Sequence, residues 1–405
     1  MLPSPDARLA ALVRQASAGV LRGGLRGIEK ESLRVTPAGA IARTPHPAAL
    51  GSALTHPWIT TDFSEALPEL ITPPYESNWE ALNFLCELHR FVYARIDDEL
   101  LWATSMPCRI AGDESVPIAR YGDSNVGLMK HIYRRGLANR YGRVMQAIAG
   151  VHFNYSVPEA YWPVLQAQGG NGRAVRQIRD DAYLGLLRNY RRYGWLILYL
   201  FGASPAVCRS FLCGRPTDLE SLDDATVYGR HATTLRLSDL GYRNENQSGL
   251  SIGMNDLDQY IQDLDAAILT PYPPYERLGT VVDGEWQQLS TSILQIENEY
   301  YGQIRPKQVA ISGERPTHAL ERRGIAYVEV RALDVSPMDP AGISQNEMRF
   351  IEALLLYCLL TDSPPMDHDE ARRCDGVHAL VAARGREPGL PLTIGDRTAS
   401  LTTWA

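Results

Sequence analysis

The spacing of hydrophobic residues along the chain predicts several helices. Residues 77–80 and 344–347, SNWE and SQNE, have the form of a capping box, and apolar residues recur at helical spacing after each of them. Residues 125–148 and 178–201 show the same helical period. The sequence therefore predicts at least four helices, each with one apolar face.

Short segments in which apolar and polar residues alternate lie between these helices. A period of two is typical of a strand with one buried face. These segments are 27–35, 58–63, 69–72, 150–156, 234–238, 293–299 and 325–333. Three stretches that carry proline and glycine are predicted to be surface loops: 203–216, 270–284 and 302–316. The irregular order of elements predicts an α+β fold with a mainly antiparallel sheet covered by helices, followed from about residue 362 by a polar, turn-rich segment.

Composition and charge narrow the class of protein. The chain has 405 residues, 45% of them hydrophobic, and we expect one catalytic domain over 1–405 because no stretch resembles a clear linker. A net charge of −7 argues against nucleic-acid or anionic-membrane partners. The first residues lack a secretory signal, and the longest apolar run, 195–208, is too short for a membrane span. Six cysteines without a CxxC motif favour a reducing cytoplasm.

The strand-like segments combine acidic and apolar faces. Alternation places Glu29 and Glu31 on one face of 27–35, and two such glutamates alone are more often part of a solvated edge strand. Four other segments show polar faces, which carry Asp62, Glu65, Glu69, His152, Gln295, Glu297, Glu299, Glu329 and Arg331. Unrelated surface acids are the simpler explanation, but the repetition favours strands whose acidic faces converge. Carboxylates that converge without thiolate ligands are typical of sites for Mg²⁺ or Mn²⁺.

Arginines accompany these acids at positions 134, 236, 305 and 331. Carboxylate-held magnesium with guanidinium groups indicates phosphoryl transfer, because that reaction requires charge on phosphate oxygens to be neutralised. The chain has neither a Gly-Lys dipeptide, which a Walker loop requires, nor a GxGxxG motif. A nucleotide would therefore have to be held by metals and strand residues.

Six segments in order resemble one family. They are GIEKESLRV, LGSALTHPWITTDFSEALPELITPP, NRYGRVMQAIAGVHFNYS, LRLSDLGY, LQIENEYYGQIRPK and GIAYVEVRALDVSP. They are similar to segments of bacterial glutamate–cysteine ligase of the γ-proteobacterial type, from about residue 20 to about 395. The resemblance implies a glutamine-synthetase-like curved sheet with helices on its outer side. It also implies ligation of L-glutamate to L-cysteine with ATP and Mg²⁺, or with Mn²⁺, through a γ-glutamyl phosphate.

The resemblance assigns roles to residues at matching positions. It implies six metal ligands: Glu29, Glu31, Asp62, Glu69, His152 and Glu329. It implies that Arg134 and Arg331 face the transferred phosphoryl group and that Arg236 binds a substrate carboxylate. The remaining substrate-site residues, which form the walls of the cysteine site, are Phe63, Tyr133, Leu137, Gln146, Tyr242 and Tyr301. Without the family, His152 would be interpreted as an ordinary sheet histidine and the arginines as surface ion pairs.

The chain departs from the family at its end. It stops at Ala405, whereas the family continues through a further helical segment, so we expect that segment to be missing here. Three alternatives to the ligase stay open: a related ligase with another amine acceptor, a truncated inactive form that only binds substrate, and a metal-dependent hydrolase. We expect small-molecule partners, namely L-glutamate, L-cysteine and ATP. We also expect a monomer, although the sequence carries no direct information on oligomeric state.

Overall fold

The computed structural model of the protein describes residues 6, 8–10, 18–169, 172–241, 249–309, 311 and 313–405. Six strands form the central sheet: β1 (Leu25–Glu31), β2 (Ile59–Thr61), β3 (Pro68–Ile71), β4 (Val151–Ser156), β5 (Ile304–Lys307) and β6 (Tyr327–Leu333). Their spatial order is β5–β6–β4–β1–β3–β2, and each neighbouring pair is antiparallel. The mainly antiparallel α+β fold predicted from the alternating pattern is confirmed.

Helices surround this sheet. They are α1 (Asn78–Tyr93), α2 (Asn125–Tyr141), α3 (Tyr161–Gly169), α4 (Val175–Tyr193), α5 (Trp195–Phe201), α6 (Leu257–Leu269), α7 (Pro273–Leu278), α8 (Pro316–Arg323), α9 (Gln345–Leu360), α10 (His368–Arg384) and α11 (Leu401–Trp404). Ser77 accepts a hydrogen bond from the Glu80 backbone at the start of α1. Ser344 and Glu347 form a full reciprocal capping box before α9. None of the helices within the described ranges is both long and apolar enough to cross a membrane.

Short elements complete the described chain. Small strands pair outside the central sheet: Arg34–Val35 with Leu100–Leu101, Ala206–Cys208 and Glu220–Ser221 with Thr226–Tyr228, Val281–Val282 with Glu285–Trp286, and Pro391–Ile394 with Arg397–Ser400. Single 3₁₀ turns occur at Ala18–Leu21, Ala48–Leu50, Asp113–Ser115, Met145–Ala147, Arg209–Leu212 and Glu297–Glu299.

The apolar face of the sheet forms the core against the helices. Ile28 of β1 stands opposite Phe153 of β4, which stands opposite Val330 of β6, and all three side chains are fully buried. Burial of this row stabilises the fold by roughly 25 cal/mol per Å² of apolar surface removed from water. The opposite face of the same strands carries the acidic residues. The helices therefore cover the apolar face of the sheet, and the acidic face remains available for ligands.

Two predicted strands are wrong. Residues 293–299 form an irregular segment that ends in the 3₁₀ turn, because the Glu299 carboxylate accepts a hydrogen bond of 2.7 Å from the Gln295 backbone and closes the chain on itself. Residues 234–238 form a turn, in which Ser238 Oγ donates to the Leu235 carbonyl over 2.8 Å. In both segments, local hydrogen bonds from polar side chains compete with a strand ladder.

Other predictions also needed correction. The stretches 203–216 and 270–284, predicted to be loops, contain the short strand Ala206–Cys208 and helix α7. The stretch 302–316, predicted to be a loop, contains β5, whose proline is tolerated because β5 lies at the edge of the sheet. The helix predicted over 125–148 ends at Tyr141, because Gly142 adopts a φ of 80°. The segment after residue 362, predicted to be turn-rich, contains helix α10.

Candidate active site

The register of the central sheet gathers the acidic residues of β1 with a histidine. Glu29 stands opposite His152 of β4, and Glu31 stands opposite Glu69 of β3. Because successive side chains alternate, Glu29 and Glu31 lie on one face of β1, and Lys30 lies on the other, where its amine contacts a histidine of α1. The two glutamates therefore belong to an interior strand and face a polar site at the centre of the sheet.

Two groups of three side chains have the composition and spacing of a cation site. Glu29, His152 and Glu329 form one group, and Glu31, Glu69 and His152 form the other, with ligand atoms within 4.8 Å of one another in each group. His152 belongs to both groups. Its Nδ1 lies 3.1 Å from Glu29 Oε2, and its Nε2 lies 3.8 Å from Glu31 Oε1. Sets rich in carboxylates suit Mg²⁺ or Mn²⁺.

Glu329 has a carboxylate oxygen available for a cation. The side chain is 1% exposed, and Oε2 accepts no hydrogen bond within the described residues, although the Lys307 ammonium lies 3.5 Å from it. Burial favours the protonated form, but the charges of Lys307, Arg331 and His152 lower the pKa of Glu329 well below its ordinary value. Glu329 is therefore ionised while one of its oxygens lacks a hydrogen bond, which fits a ligand of a divalent cation.

In the second group, ionisation of Glu31 and Glu69 is unfavourable, because both carboxylates are buried close to other acids. Burial, together with the neighbouring Asp62, raises the pKa of Glu31 to about 8. Burial and the charges of Glu29, Asp62 and Glu31 raise the pKa of Glu69 well above its ordinary value. A divalent cation between such groups would relieve the repulsion and displace the protons. Asp62 lines the neighbouring cavity, but it lies outside both groups of three.

Three of the predicted arginines are held in place by backbone carbonyls or by acids. Arg331 pairs with Glu329 over 3.1 Å. Arg134 donates to the Asp62 carbonyl and lies over the Tyr121 ring, 4.6 Å from its centroid. Arg236 donates to the Leu333 and Arg331 carbonyls over 3.2 and 3.0 Å. These contacts fix the guanidinium groups around the acidic cluster before any ligand binds.

The approach of Arg236 depends on a glycine. A Cβ atom at Gly150 would lie 2.2 Å from Arg236 Nη2, which is far inside van der Waals contact. The Gly150 backbone also donates a 2.7 Å hydrogen bond to Glu31 Oε2. A side chain at this position would therefore displace Arg236 from the site.

Arg305 differs from the other arginines because it has no partner in the described part of the chain. Its side chain is 7% exposed, its Nε donates no hydrogen bond, and it forms no ion pair there. Burial and the nearby Arg331 lower its pKa from the ordinary value. Burying an unpaired cation is costly, so its presence at the cavity wall indicates that an anion completes the site.

A cavity of ≈ 130 Å³ adjoins the acidic cluster, and α2 forms one of its walls. Tyr133, Leu137 and Tyr141 lie four residues apart and share one face of this helix. The predicted site residues at this cavity are Glu31, Asp62, Phe63, Tyr133, Arg134, Leu137, Gln146, His152, Arg236, Tyr301 and Arg331. Glu29, Glu69 and Glu329 lie beside it in the two cation groups. Tyr242 lies outside the described residues.

The sequence pattern singled out Glu299 as a polar residue, but not the buried group that it forms at this cavity. Glu299 pairs with Arg140 over 3.0 Å, with side chains 1% and 0% exposed, and Tyr141 donates to the same carboxylate over 2.7 Å. The position of Tyr141 follows from the period of α2 and could have been predicted. The Arg140–Glu299 pair joins segments 159 residues apart, so no local pattern indicates it. The pair fixes the end of α2 against the turn that follows residue 293.

Comparison with known proteins gives one consistent result. A family model described as glutamate–cysteine ligase matches residues 9–381. The chain is 54% identical to the glutamate–cysteine ligase of Azotobacter vinelandii over 401 residues, which are 98% of this chain and 76% of that relative. It is 52% identical to the Pseudomonas aeruginosa enzyme over 398 residues, with shares of 98% and 75%.

Solved structures agree with this assignment. The glutamate–cysteine ligase of Francisella tularensis in complex with AMP matches with a TM-score of 0.89 and 41% identity, over 94% of this chain and 76% of that one. A bifunctional glutathione synthetase from Pasteurella multocida matches with a TM-score of 0.72 and 27% identity, over 93% and 44%. On these grounds, the chain belongs to the glutamate–cysteine ligase family.

Proposed function

We propose that this protein joins the γ-carboxylate of L-glutamate to the amine of L-cysteine with hydrolysis of ATP, which is the first step of glutathione biosynthesis. The observation that carries this proposal is His152 shared between two carboxylate groups beside buried guanidinium groups. The family supports the same reaction. The related structure in complex with AMP supports an adenine nucleotide as a ligand.

Six side chains would hold the metal ions: Glu29, Glu31, Asp62, Glu69, His152 and Glu329. When bound there, Mg²⁺ or Mn²⁺ supplies positive charge that neutralises phosphate oxygens. The chain itself supplies the ionised state of Glu329, which its cationic neighbours maintain. It also holds His152 by the contact with Glu29 and so fixes the orientation of the imidazole ring.

The first chemical step would be phosphoryl transfer. An oxygen of the glutamate γ-carboxylate attacks the γ-phosphorus of ATP, a carboxyl-oxygen-to-phosphorus bond forms, and the bond to the β–γ bridging oxygen breaks to release ADP. Arg134 and Arg331 face the transferred γ-phosphoryl group and stabilise the charge that develops on its oxygens. Arg305 adds a third, unpaired guanidinium at the same cavity. The product of this step is γ-glutamyl phosphate.

The second step would be attack by the cysteine amine on the acyl carbon. The new bond is an amide, the bond from the acyl carbon to the phosphate oxygen breaks so that phosphate leaves, and the amine nitrogen releases one proton. The cysteine site would be formed by Phe63, Tyr133, Leu137, Gln146, Tyr242 and Tyr301, with Arg236 holding a substrate carboxylate. A guanidinium whose orientation is fixed by two carbonyls suits that fork-shaped contact. The small volume of the cavity suits a short side chain.

We further propose that the reaction takes place in the cytoplasm. All six cysteines are free thiols, three of them only partly buried, which suits a reducing compartment.

The choice of amine acceptor can be tested with purified protein. ADP formation in the presence of ATP, Mg²⁺ and glutamate should increase with cysteine and with L-2-aminobutyrate, which lacks only the thiol. Glycine and lysine should give little increase, because neither fills a small apolar pocket in the way a thiomethyl group does. A larger rate with glycine or lysine would show that cysteine is not the preferred amine acceptor, while the assignment as a ligase would stand.

A further inference from the structure

The opposite face of α2 lines a second cavity, a groove of ≈ 980 Å³. His131, Arg135 and Asn139 follow one another at intervals of four residues on this face, and Arg143 lies just beyond the end of the helix. The first cavity is lined instead by the face with Tyr133. A single helix therefore separates the candidate active site from the groove, and none of the described residues lines both cavities.

The groove is basic although the protein as a whole has a net charge of −7. Its wall carries four arginines against two glutamates. Arg135 pairs with Glu285, and Arg143 pairs with an acid outside the groove. Arg43 and Arg120 form no ion pair within the ranges that the structure describes. Two exposed guanidinium groups in this wall are thus free to bind an anion.

Glu65 supports the wall and does not neutralise these arginines. Its side chain is 8% exposed, and its two carboxylate oxygens accept hydrogen bonds from the backbone N–H groups of His46 and Arg120. The buried carboxylate therefore links the backbone at His46 to the backbone at Arg120, and both positions belong to the groove wall. His46, another lining residue, is half-buried next to this frame. The groove thus has a fixed frame.

We propose that this groove binds a small anion with two or more phosphate groups at a site separate from the active site. Guanidinium groups match phosphate oxygens in a two-point geometry, and several arginines around one groove favour more than one phosphate group. The volume lies within the range of small-molecule sites, so a phosphate-bearing organic molecule fits as well as an inorganic one. The proposal does not depend on the reaction assigned to the first cavity.

The test uses pyrophosphate as the probe and the full chain without metal, with binding measured by titration calorimetry. The double variant Arg43→Gln, Arg120→Gln should weaken binding by about tenfold or more, because two charge-assisted contacts are lost. Arg331→Gln, which alters the active site, should retain the groove affinity. Arg90→Gln is the matched control, because Arg90 is exposed on α1, does not line the groove and pairs with Glu87.

The proposal would be overturned by no binding of pyrophosphate in the millimolar range, by unchanged affinity in the double variant, or by loss of all binding in Arg331→Gln. Citrate, a tricarboxylate, serves as the second probe and should bind more weakly than pyrophosphate; tighter citrate binding would overturn the phosphate assignment. Because Arg43 and Arg120 are exposed, the double variant should melt like the unmodified protein, and a melting curve run beside the titration checks that it is folded.

Discussion

His152 and Glu29 are in direct contact across the centre of the sheet, with Nδ1 of the imidazole 3.1 Å from Oε2 of the carboxylate. The register between β4 and β1 produces this contact, because the two residues stand directly opposite each other. The other ring nitrogen faces Glu31 over 3.8 Å. One imidazole thereby connects two groups of carboxylates. A change to this contact should therefore alter cation binding by both groups.

Replacement of Glu29 with glutamine should weaken metal binding by at least about tenfold and reduce turnover accordingly, because a ligand charge is lost next to His152. The activity is measured as a function of Mg²⁺ concentration. His152→Gln should affect both carboxylate groups and have at least as large an effect. Glu80→Gln and His318→Gln are controls at exposed helix positions and should keep the normal metal dependence. Full activity of Glu29→Gln at limiting Mg²⁺ would show that the metal assignment is wrong.

The stabilisation by Mg²⁺ should increase with pH. The pKa of Glu31 is raised from 4.5 to about 8, so the folded, metal-free protein holds a proton that the unfolded chain releases. This contribution to stability is fully present below pH 4.5 and is lost as the pH rises through about 8. Metal binding requires the ionised carboxylate, so it becomes more favourable over the same range.

Melting temperatures with and without Mg²⁺, measured at several pH values in that range, test this coupling. The difference between the two should grow as the pH rises. In Glu31→Gln the pH dependence should be much weaker, whereas Glu80→Gln should behave like the unmodified protein. A difference that stays constant with pH in the unmodified protein would contradict the raised pKa of Glu31.

Arg305→Gln should have opposite effects on stability and on catalysis. The free protein would no longer bury an unpaired cation, so its melting temperature should rise or stay unchanged. Loss of a charged contact to a substrate anion should lower kcat/KM by about ten- to hundredfold. Steady-state kinetics and melting curves on the same preparation give both values. A fall in stability with normal kinetics would mean that Arg305 has only a structural role.

Leu137→Ala should raise the KM for cysteine by about tenfold or more and change the KM for ATP much less, because the pocket loses apolar contact with the acceptor. Leu128→Ala is the matched control: it lies on the same helix, its side chain is 44% exposed, and it does not line the cavity. Equal changes in both KM values for Leu137→Ala would remove Leu137 from the acceptor site.

The alternation of polar and apolar residues was sufficient to predict the acidic face of β1. Because each residue of a strand points opposite to its neighbour, Glu29 and Glu31 had to share a face wherever the strand lay. The same rule failed at 293–299, where Glu299 closes a turn through the Gln295 backbone. Alternation alone cannot distinguish a strand from an irregular segment whose polar residues are paired elsewhere in the chain.

The long-range pairs of the site could not be predicted from local patterns. Arg140 reaches Glu299 across 159 positions, and Arg305 lies on an edge strand that contains a proline. The separate roles of the arginines also depend on three-dimensional context. In the sequence Arg305 resembles Arg236, but the structure shows Arg236 bound to two carbonyls and Arg305 without a partner in the described residues.

The fate of the glutamate γ-carboxylate oxygens tests the central claim most directly. The protein is supplied with ATP, Mg²⁺, cysteine and glutamate labelled with ¹⁸O in the γ-carboxylate, and the released phosphate is examined by mass spectrometry. If a γ-glutamyl phosphate forms, one labelled oxygen appears in each phosphate molecule and the other stays in the amide. Phosphate released without label during glutamate-dependent turnover would contradict phosphoryl transfer to glutamate at this site.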